Sequence, residues 1–161
     1  MREAVGTTWI FQLVIIFTLI FVSFLALSIN YSRAFRIKNE ILTIMEKYEG
    51  VGDQEGHSVS IINNYLRNNA YGVKGACREG EYGALSLNDN ILEYVSAGGS
   101  NNRYYYCVKP IPTYTVAKQN QFRFNIRVFF KFNLPIIGEL MTFSIDGTTM
   151  DIVNANTSAL N

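Results

Sequence analysis

The chain has 161 residues, of which 48% are hydrophobic and 14% aromatic, and its formal net charge at pH 7 is +1. This near-neutral total charge gives no support for nucleic-acid binding, and no RNA- or DNA-binding signature occurs, so we expect no nucleic acid as a partner. Beyond an apolar N-terminal stretch, roughly 110 residues remain, which is enough for one small domain.

An uncharged, apolar stretch follows a short head of residues 1–7. Residues 8–29 carry no charge, and about 20 apolar residues cross a bilayer core as a helix. Trp9 and Tyr31 stand near its two ends, where amphipathic rings favour the headgroup level. We therefore predict one transmembrane helix over residues 8–29, retained because its apolar core exceeds the roughly 7–15 residues of a signal peptide. A buried helix in a soluble protein is the alternative, but it would rarely run this long without a charge.

The helical pattern continues through residues 30–49 without an intervening Gly or Pro. Apolar side chains recur there at three- and four-residue steps, interrupted by Lys38, whose stem can lie along the apolar face. The residues of this stripe that we expect to bind a partner are Tyr31, Phe35, Leu42 and Met45. The alternative is that the stripe packs on the chain's own domain. Both possibilities are met if the domain covers only the later turns of the helix and a partner covers the earlier ones.

The remaining sequence predicts an extracytoplasmic α+β domain over residues 58–153, after a linker at 50–57 and before a loose tail at 154–161. A short helix is predicted over 58–71, followed by a small antiparallel sheet. The predicted strands are 91–96, 103–109, 113–117, 122–134, a hairpin partner around 141–146, and 150–153. Pro110 and Pro112 are expected to end one strand, and Asp146-Gly147 to mark a turn.

The strand predicted over 122–134 has the clearest alternation in the chain. Phe124, Ile126 and Val128 alternate with Arg123 and other polar residues, and only Phe129 breaks the period of two. This pattern predicts one buried face and one wet, basic face.

The two cysteines, Cys77 and Cys107, follow the anchor. An even number in a small domain behind a membrane segment favours a disulfide in an oxidising compartment; two free buried thiols are the alternative. The closed loop of about 30 residues would contribute on the order of 3 kcal/mol. We therefore place the N-terminus in the cytoplasm and the domain outside, although the cations that follow the span weakly favour the opposite orientation.

Signatures of catalysis do not occur in the sequence. It contains no phosphate-binding glycine loop, zinc-ligand spacing or nucleophile elbow. His57, the only histidine, gives no support for a zinc site or a Ser-His pair. We expect no enzymatic activity, no catalytic residue, no cofactor and no metal.

The layout resembles that of type IV pilin-like proteins, and within them the TadE/TadF-like minor pilins of tight-adherence (Tad) pilus systems. Three places carry this resemblance: the head 2–5 enters the span directly, the span continues into helix 31–48, and segment 132–138 leads to 145–149. The likeness does not extend to the pilin processing site, because no glutamate lies inside the span.

The resemblance implies a membrane-anchored structural or assembly subunit of a Tad-type pilus or related secretion system. Its partners would be the lipid bilayer and other pilin-like or pilus-platform membrane proteins. The alternative is a membrane-tethered surface module for binding or sensing. Such a module would hold its ligand on the tyrosine-rich strand 104–106 or on the basic face of Arg123, Arg127 and Lys131.

Overall fold

The computed structural model of the chain describes residues 2–52, 58–87, 91–97, 103–114, 120–134 and 138–160. The fold is α+β, as predicted. A long helix α1 (Arg2–Lys47) and a short helix α2 (Ser58–Asn68) precede an antiparallel sheet, and a 3-10 turn (Ser158–Leu160) follows it. The strands are β1 (Tyr82–Leu87), β2 (Ile91–Ser96), β3 (Tyr106–Tyr114), β4 (Asn120–Leu134), β5 (Gly138–Thr148) and β6 (Ile152–Val153).

Helix α1 is continuous over 46 residues, which confirms the predicted extension beyond the apolar stretch. Thr18 and Ser23 donate their hydroxyl protons to the Val14 and Leu19 carbonyls, one turn earlier. These polar groups are therefore satisfied within the helix, as an apolar medium requires. None of its most apolar window is buried against the rest of the chain. One long apolar helix near the N-terminus is thus a candidate single membrane span.

The sheet has the strand order β2-β1-β3-β4-β5, with β6 beside the first residues of β4. Neighbouring strands are antiparallel throughout. Strand β4 therefore occupies the interior of the sheet, and β5 lies at its edge.

The core lies between the later turns of α1 and one face of the sheet. Alternate residues of β4 point toward α1, and α2 adds Ile62 and Leu66. The core side chains contributed by α1 and β4 are Ala34, Ile37, Ile41, Ile44, Met45, Phe124, Ile126, Val128 and Phe130. Burial of apolar side chains at about 25 cal/mol per Å² stabilises this packing.

Strand β3 runs through both prolines instead of ending at them. Pro110 and Pro112 stay in register with Phe124 and Phe122 of β4. The N–H and C=O of Phe124 bond to Thr149 on its other side, so the Phe124–Pro110 pair has no ladder bond of its own. Strand β1 pairs with β3 only as far as Val108. The two prolines therefore lack their N–H groups on the side of β3 where no strand is paired.

The second face of β4 is covered, contrary to the predicted wet, basic face. Arg127 and Phe129 are only 4% and 3% exposed. Segment 71–81 crosses above them: Gly75 lies against the Phe129 ring, and Glu81 pairs with Arg127. Phe129 breaks the strand alternation because both faces of β4 are buried at this position.

The predicted turn at Asp146-Gly147 is wrong, because both residues lie inside β5. Gly147 is paired with Ile126 of β4. A Cβ added at Gly147 would lie 2.8 Å from Cδ of Lys38 and 3.0 Å from Cδ1 of Leu42. The glycine therefore permits a close approach of β5 to α1.

The tail is not loose, because residues 154–160 run beside the end of α1. The Val51 N–H donates to the Asn156 carbonyl, and the Asn156 N–H donates to the Glu49 carbonyl, both at 2.7 Å. Leu160 is buried. Residues 50–52, predicted as linker, are buried too, whereas the remaining linker with His57, the loop 98–102 and the turn 135–137 lie outside the described residues.

Candidate partner-binding surface

Four aromatic side chains from three elements contact one another beside the candidate span. Tyr31 and Phe35 lie one turn apart on α1, with ring centroids 6.3 Å apart. Tyr31 meets Phe130 of β4 edge-on at 5.8 Å, and Phe130 stacks on Phe143 of β5 at 5.4 Å. The rings thus form one continuous row from α1 to the edge of the sheet.

Most of this row is open to its surroundings. Tyr31, Phe35 and Phe143 are 49%, 42% and 41% exposed, and neighbouring Met141 is 63% exposed. We call these four residues the aromatic surface. Phe130 is buried beneath it, so the rings of Tyr31 and Phe143 rest on a side chain of the core.

Lys38 borders the aromatic surface and joins it to the core. Its ammonium group lies 4.3 Å from the centroid of the Phe35 ring, within the range of a cation–π contact. Its stem packs against Gly147. The structure thus confirms the prediction that the stem of Lys38 lies along the apolar face of α1.

The predicted stripe divides between the domain and the exposed surface. Tyr31 and Phe35 are exposed, Leu42 is partly buried, and Met45 is 0% exposed inside the chain's own core. Met45 is therefore not available to a partner, because the sheet already covers that turn of α1.

Met141 and Phe143 were missing from the predicted stripe. The alternation of β5 places them on one face, and pairing of Phe143 with Phe130 places that face toward α1. The sequence contained the alternation, but not the position of α1 on the sheet.

The predicted disulfide between Cys77 and Cys107 is present, with a Cα–Cα distance of 5.6 Å. Cys107 sits opposite Arg127 in the ladder, so the bond ties segment 71–81 to the second face of the sheet. Glu81 lies close enough to both sulfur atoms to suggest a metal site among the described residues, but the cysteines are bonded to each other.

Arg127 and its partner Glu81 are buried charges of this second face. Arg127 contacts Glu81 at 3.2 Å and Asp146 at 2.7 Å. The hydrogen bond to Asp146, together with both carboxylate charges, raises the pKa of Arg127, and burial opposes this increase. The network neutralises the cation, so it is a structural element of the sheet.

Three further groups of the alternative binding module are also engaged in the fold. Tyr104 and Tyr106 are buried. Arg123 pairs with Asp151 at 3.0 Å. A shallow depression of about 400 Å³ nevertheless opens beside the disulfide, with Lys74, Arg78 and Arg103 in its lining.

No protein-family model, curated protein or solved structure matches the chain.

Proposed function

We propose that the chain is a membrane-anchored, pilin-like assembly subunit of a Tad-type pilus or a related secretion system. Its N-terminus lies in the cytoplasm, and its α+β domain lies outside the membrane. Its partners are other pilin-like or pilus-platform membrane proteins, which pack side by side with α1.

The observation that carries this proposal is the aromatic surface beside an uncovered apolar helix. Most apolar side chains of α1 from Trp9 to Ile29 are exposed, and Tyr31 and Phe35 continue that exposure past the span. Past the span, exposure of apolar side chains to water costs free energy, and contiguous exposed apolar area there marks an interaction site. A neighbouring subunit with the same orientation would cover the span and the aromatic surface together.

Within the span, association depends on packing and polar contacts, since lipid offers no hydrophobic gain to helices. The Thr18 and Ser23 hydroxyls are already bonded within α1. The aromatic surface lies beyond the span, where burial from water favours association at about 25 cal/mol per Å². We therefore assign the main binding energy to Tyr31, Phe35, Met141 and Phe143.

The test is Phe35→Asp in cells that carry the natural partners. A charge at this exposed position should leave the domain folded and the protein in the membrane, yet remove it from the assembly, because it costs free energy to bury a carboxylate in an apolar interface, even beside Lys38. Co-purification and cysteine cross-linking from position 35 measure the assembly. Thr43→Asp is the matched control: Thr43 is exposed on α1 about two turns farther from the span.

Unchanged assembly with Phe35→Asp, and no partner captured from position 35, would contradict the proposal. The surface-module function would then be favoured. Its support is the depression beside the disulfide, where Lys74, Arg78 and Arg103 offer cations to an anionic ligand.

A further inference from the structure

One side of α1 is partly covered within its apolar stretch. Every residue from Thr8 to Val22 is exposed, whereas several of the residues that follow are partly buried. These are Ser23, Ala26, Leu27 and Asn30. They are three or four positions apart, so they lie on one side of the helix, and Leu27 packs against the core. The chain's own domain therefore covers this side of α1 as far as Ser23.

Strand β4 runs along α1 toward the N-terminus of the helix. At the outer end, Ile126 is paired with Gly147, which lies against Lys38 of α1. Nearer the apolar stretch, Phe130 contacts Tyr31. From Ile126 to Phe130 the strand advances about 13 Å, and from Lys38 to Tyr31 the helix returns about 10 Å. The two elements thus keep pace with each other in opposite chain directions.

The end of the β4–β5 hairpin therefore lies beside the covered part of the apolar stretch. From Phe130 to Leu134, which pairs with Gly138 of β5, β4 continues for about 13 Å. This length equals about nine residues of helix, so Leu134 reaches the level of Val22. The estimate agrees with the burial of α1, which begins at Ser23.

The other sides of α1 are open at this level. Phe24 and Leu25 are 64% and 46% exposed, and a chain segment that packs beside them meets the same surroundings. We define the hairpin end as residues 132–134 and 138–140. It contributes three large apolar residues, Phe132, Leu134 and Leu140, and one charged residue, Glu139.

We propose that the hairpin end lies at the outer headgroup–acyl boundary of the bilayer, where it is a second membrane contact beside α1. The inference rests on the part of the proposed function that places α1 in the membrane and the domain outside. Lipid is the occupant that the position of the hairpin end favours, because this end flanks the apolar stretch itself. Two contacts would fix the direction in which the domain faces along the membrane.

The length of the uncharged run permits this depth. The run extends from Ala4 to Ser32, about 44 Å of helix, whereas the hydrocarbon core is about 30 Å thick. The outer limit of the core can therefore lie level with the hairpin end, with the aromatic surface beyond it. Glu139 limits further insertion, because a carboxylate is costly inside the hydrocarbon.

The experiment places the full chain, without other proteins, in phosphatidylcholine vesicles at a low ratio of protein to lipid. Tryptophan fluorescence is compared with and without lipid brominated near the headgroup end of its acyl chains. Trp9 is the only natural tryptophan, and its quenching reports that α1 is in the bilayer. Single tryptophans are then introduced in the Trp9→Phe chain by Leu134→Trp, Met141→Trp and Met150→Trp.

Quenching by brominated lipid should be strong for Leu134→Trp, weaker for Met141→Trp and absent for Met150→Trp. Iodide in the water should quench the three variants in the opposite order. Met150→Trp is the matched control for Met141→Trp, because both methionines are exposed, at 76% and 63%. Met150 lies at the other end of the fold, where its N–H donates to Glu46 near the end of α1.

Equally weak quenching of Leu134→Trp, Met141→Trp and Met150→Trp by brominated lipid would overturn the proposal. Protection of Leu134→Trp from iodide without quenching by lipid would overturn it too, because protein would then cover the hairpin end. If Trp9 is quenched in either case, only this inference fails. An unquenched Trp9 would instead contradict the membrane anchor of the proposed function. Phe35→Asp tests assembly separately and should leave all these quenching results unchanged.

Discussion

Contacts of single residues explain where the sequence pattern and the structure diverge. Phe129 interrupts the alternation of β4, and a Cβ added at Gly75 would lie 2.2 Å from its Cδ1 atom. The ring thus occupies the space that a side chain at position 75 would need. Such a pairing between residues far apart in the chain has no periodicity, so the sequence could not predict it.

Gly75→Ala should therefore destabilise the domain by about 1–3 kcal/mol, because the Phe129 ring must move within a packed site. Gly72→Ala is the control in the same segment, since a Cβ there meets nothing within 4 Å and should change stability little. Urea unfolding of the two variants measures the difference. Equal urea midpoints for the two variants would contradict this prediction, because they would show that segment 71–81 can shift to accommodate the Phe129 ring at little cost in stability.

Buried tyrosines predict how the stability of the domain depends on pH. Burial raises the pKa of Tyr71, Tyr94 and Tyr106 above the ordinary value of 10.0. The hydroxyls of Tyr94 and Tyr106 also bond to each other. A raised pKa means that the unfolded chain loses these protons first, so deprotonation favours unfolding.

The contribution of these tyrosines to stability should be fully present below pH 10.0 and should decrease as the pH rises above that value. Circular dichroism follows the fold during an alkaline titration, and tyrosinate absorbance follows the protons. Tyr71, Tyr94 and Tyr106 should titrate together with the loss of structure. Full titration of every tyrosine in a domain that stays folded would contradict this prediction.

Among the elements, α1 and the hairpin of β4 and β5 were predictable because their signals are local. The length of α1 follows from an unbroken helical pattern, and the hairpin follows from alternation on both sides of a turn. The division of α1 into a covered part at Met45 and an open part at Phe35 depends on where the sheet lies. That position is set by tertiary packing, so the candidate surface was only half predictable.

Strands β1 and β3 show why local breakers misled the prediction. No strand was predicted over residues 82–87, yet Gly83 lies within β1, where a Cβ would come within 2.1 Å of the Tyr104 ring. Pro110 and Pro112 lie within β3. Glycine and proline disrupt a strand only when the position needs the side chain or the N–H that they lack. That requirement depends on the neighbouring strands.

At the scale of the whole molecule, the domain does not begin after α1. Ile37, Ile41 and Met45 of α1 are almost fully buried in its core, so a domain that starts after α1 lacks part of that core. The later turns of α1 belong to the domain as much as to the stalk.

A chain of residues 30–161 should therefore fold without the span, whereas residues 50–161 should not, because removal of these turns uncovers the α1-facing side of β4. Circular dichroism and cooperative melting distinguish the two fragments once both have formed the disulfide. Equal cooperative melting of both fragments would show that α1 contributes little to the core.

The direction of the edge strand limits how two copies can meet. Phe143 of β5 and Tyr31 of α1 both contact the Phe130 ring, so they lie at the same height along the molecule. Gly147 of β5 lies against Lys38 and Leu42, farther along α1. From Phe143 to Gly147 the strand advances about 13 Å, and from Tyr31 to Lys38 or Leu42 the helix advances about 10–16 Å. Strand β5 and helix α1 therefore run nearly side by side in the same direction.

In the described part of the chain, β5 pairs on one side only. Copies anchored in one membrane with the same orientation are related by rotation about the membrane normal, which preserves the direction of every strand along that axis. Two β5 edges would thus meet in parallel, and a twofold dimer with an antiparallel continuous sheet is excluded. An anchor formed by α1, as proposed above, would therefore protect this open edge from the antiparallel pairing between like copies by which exposed strands aggregate.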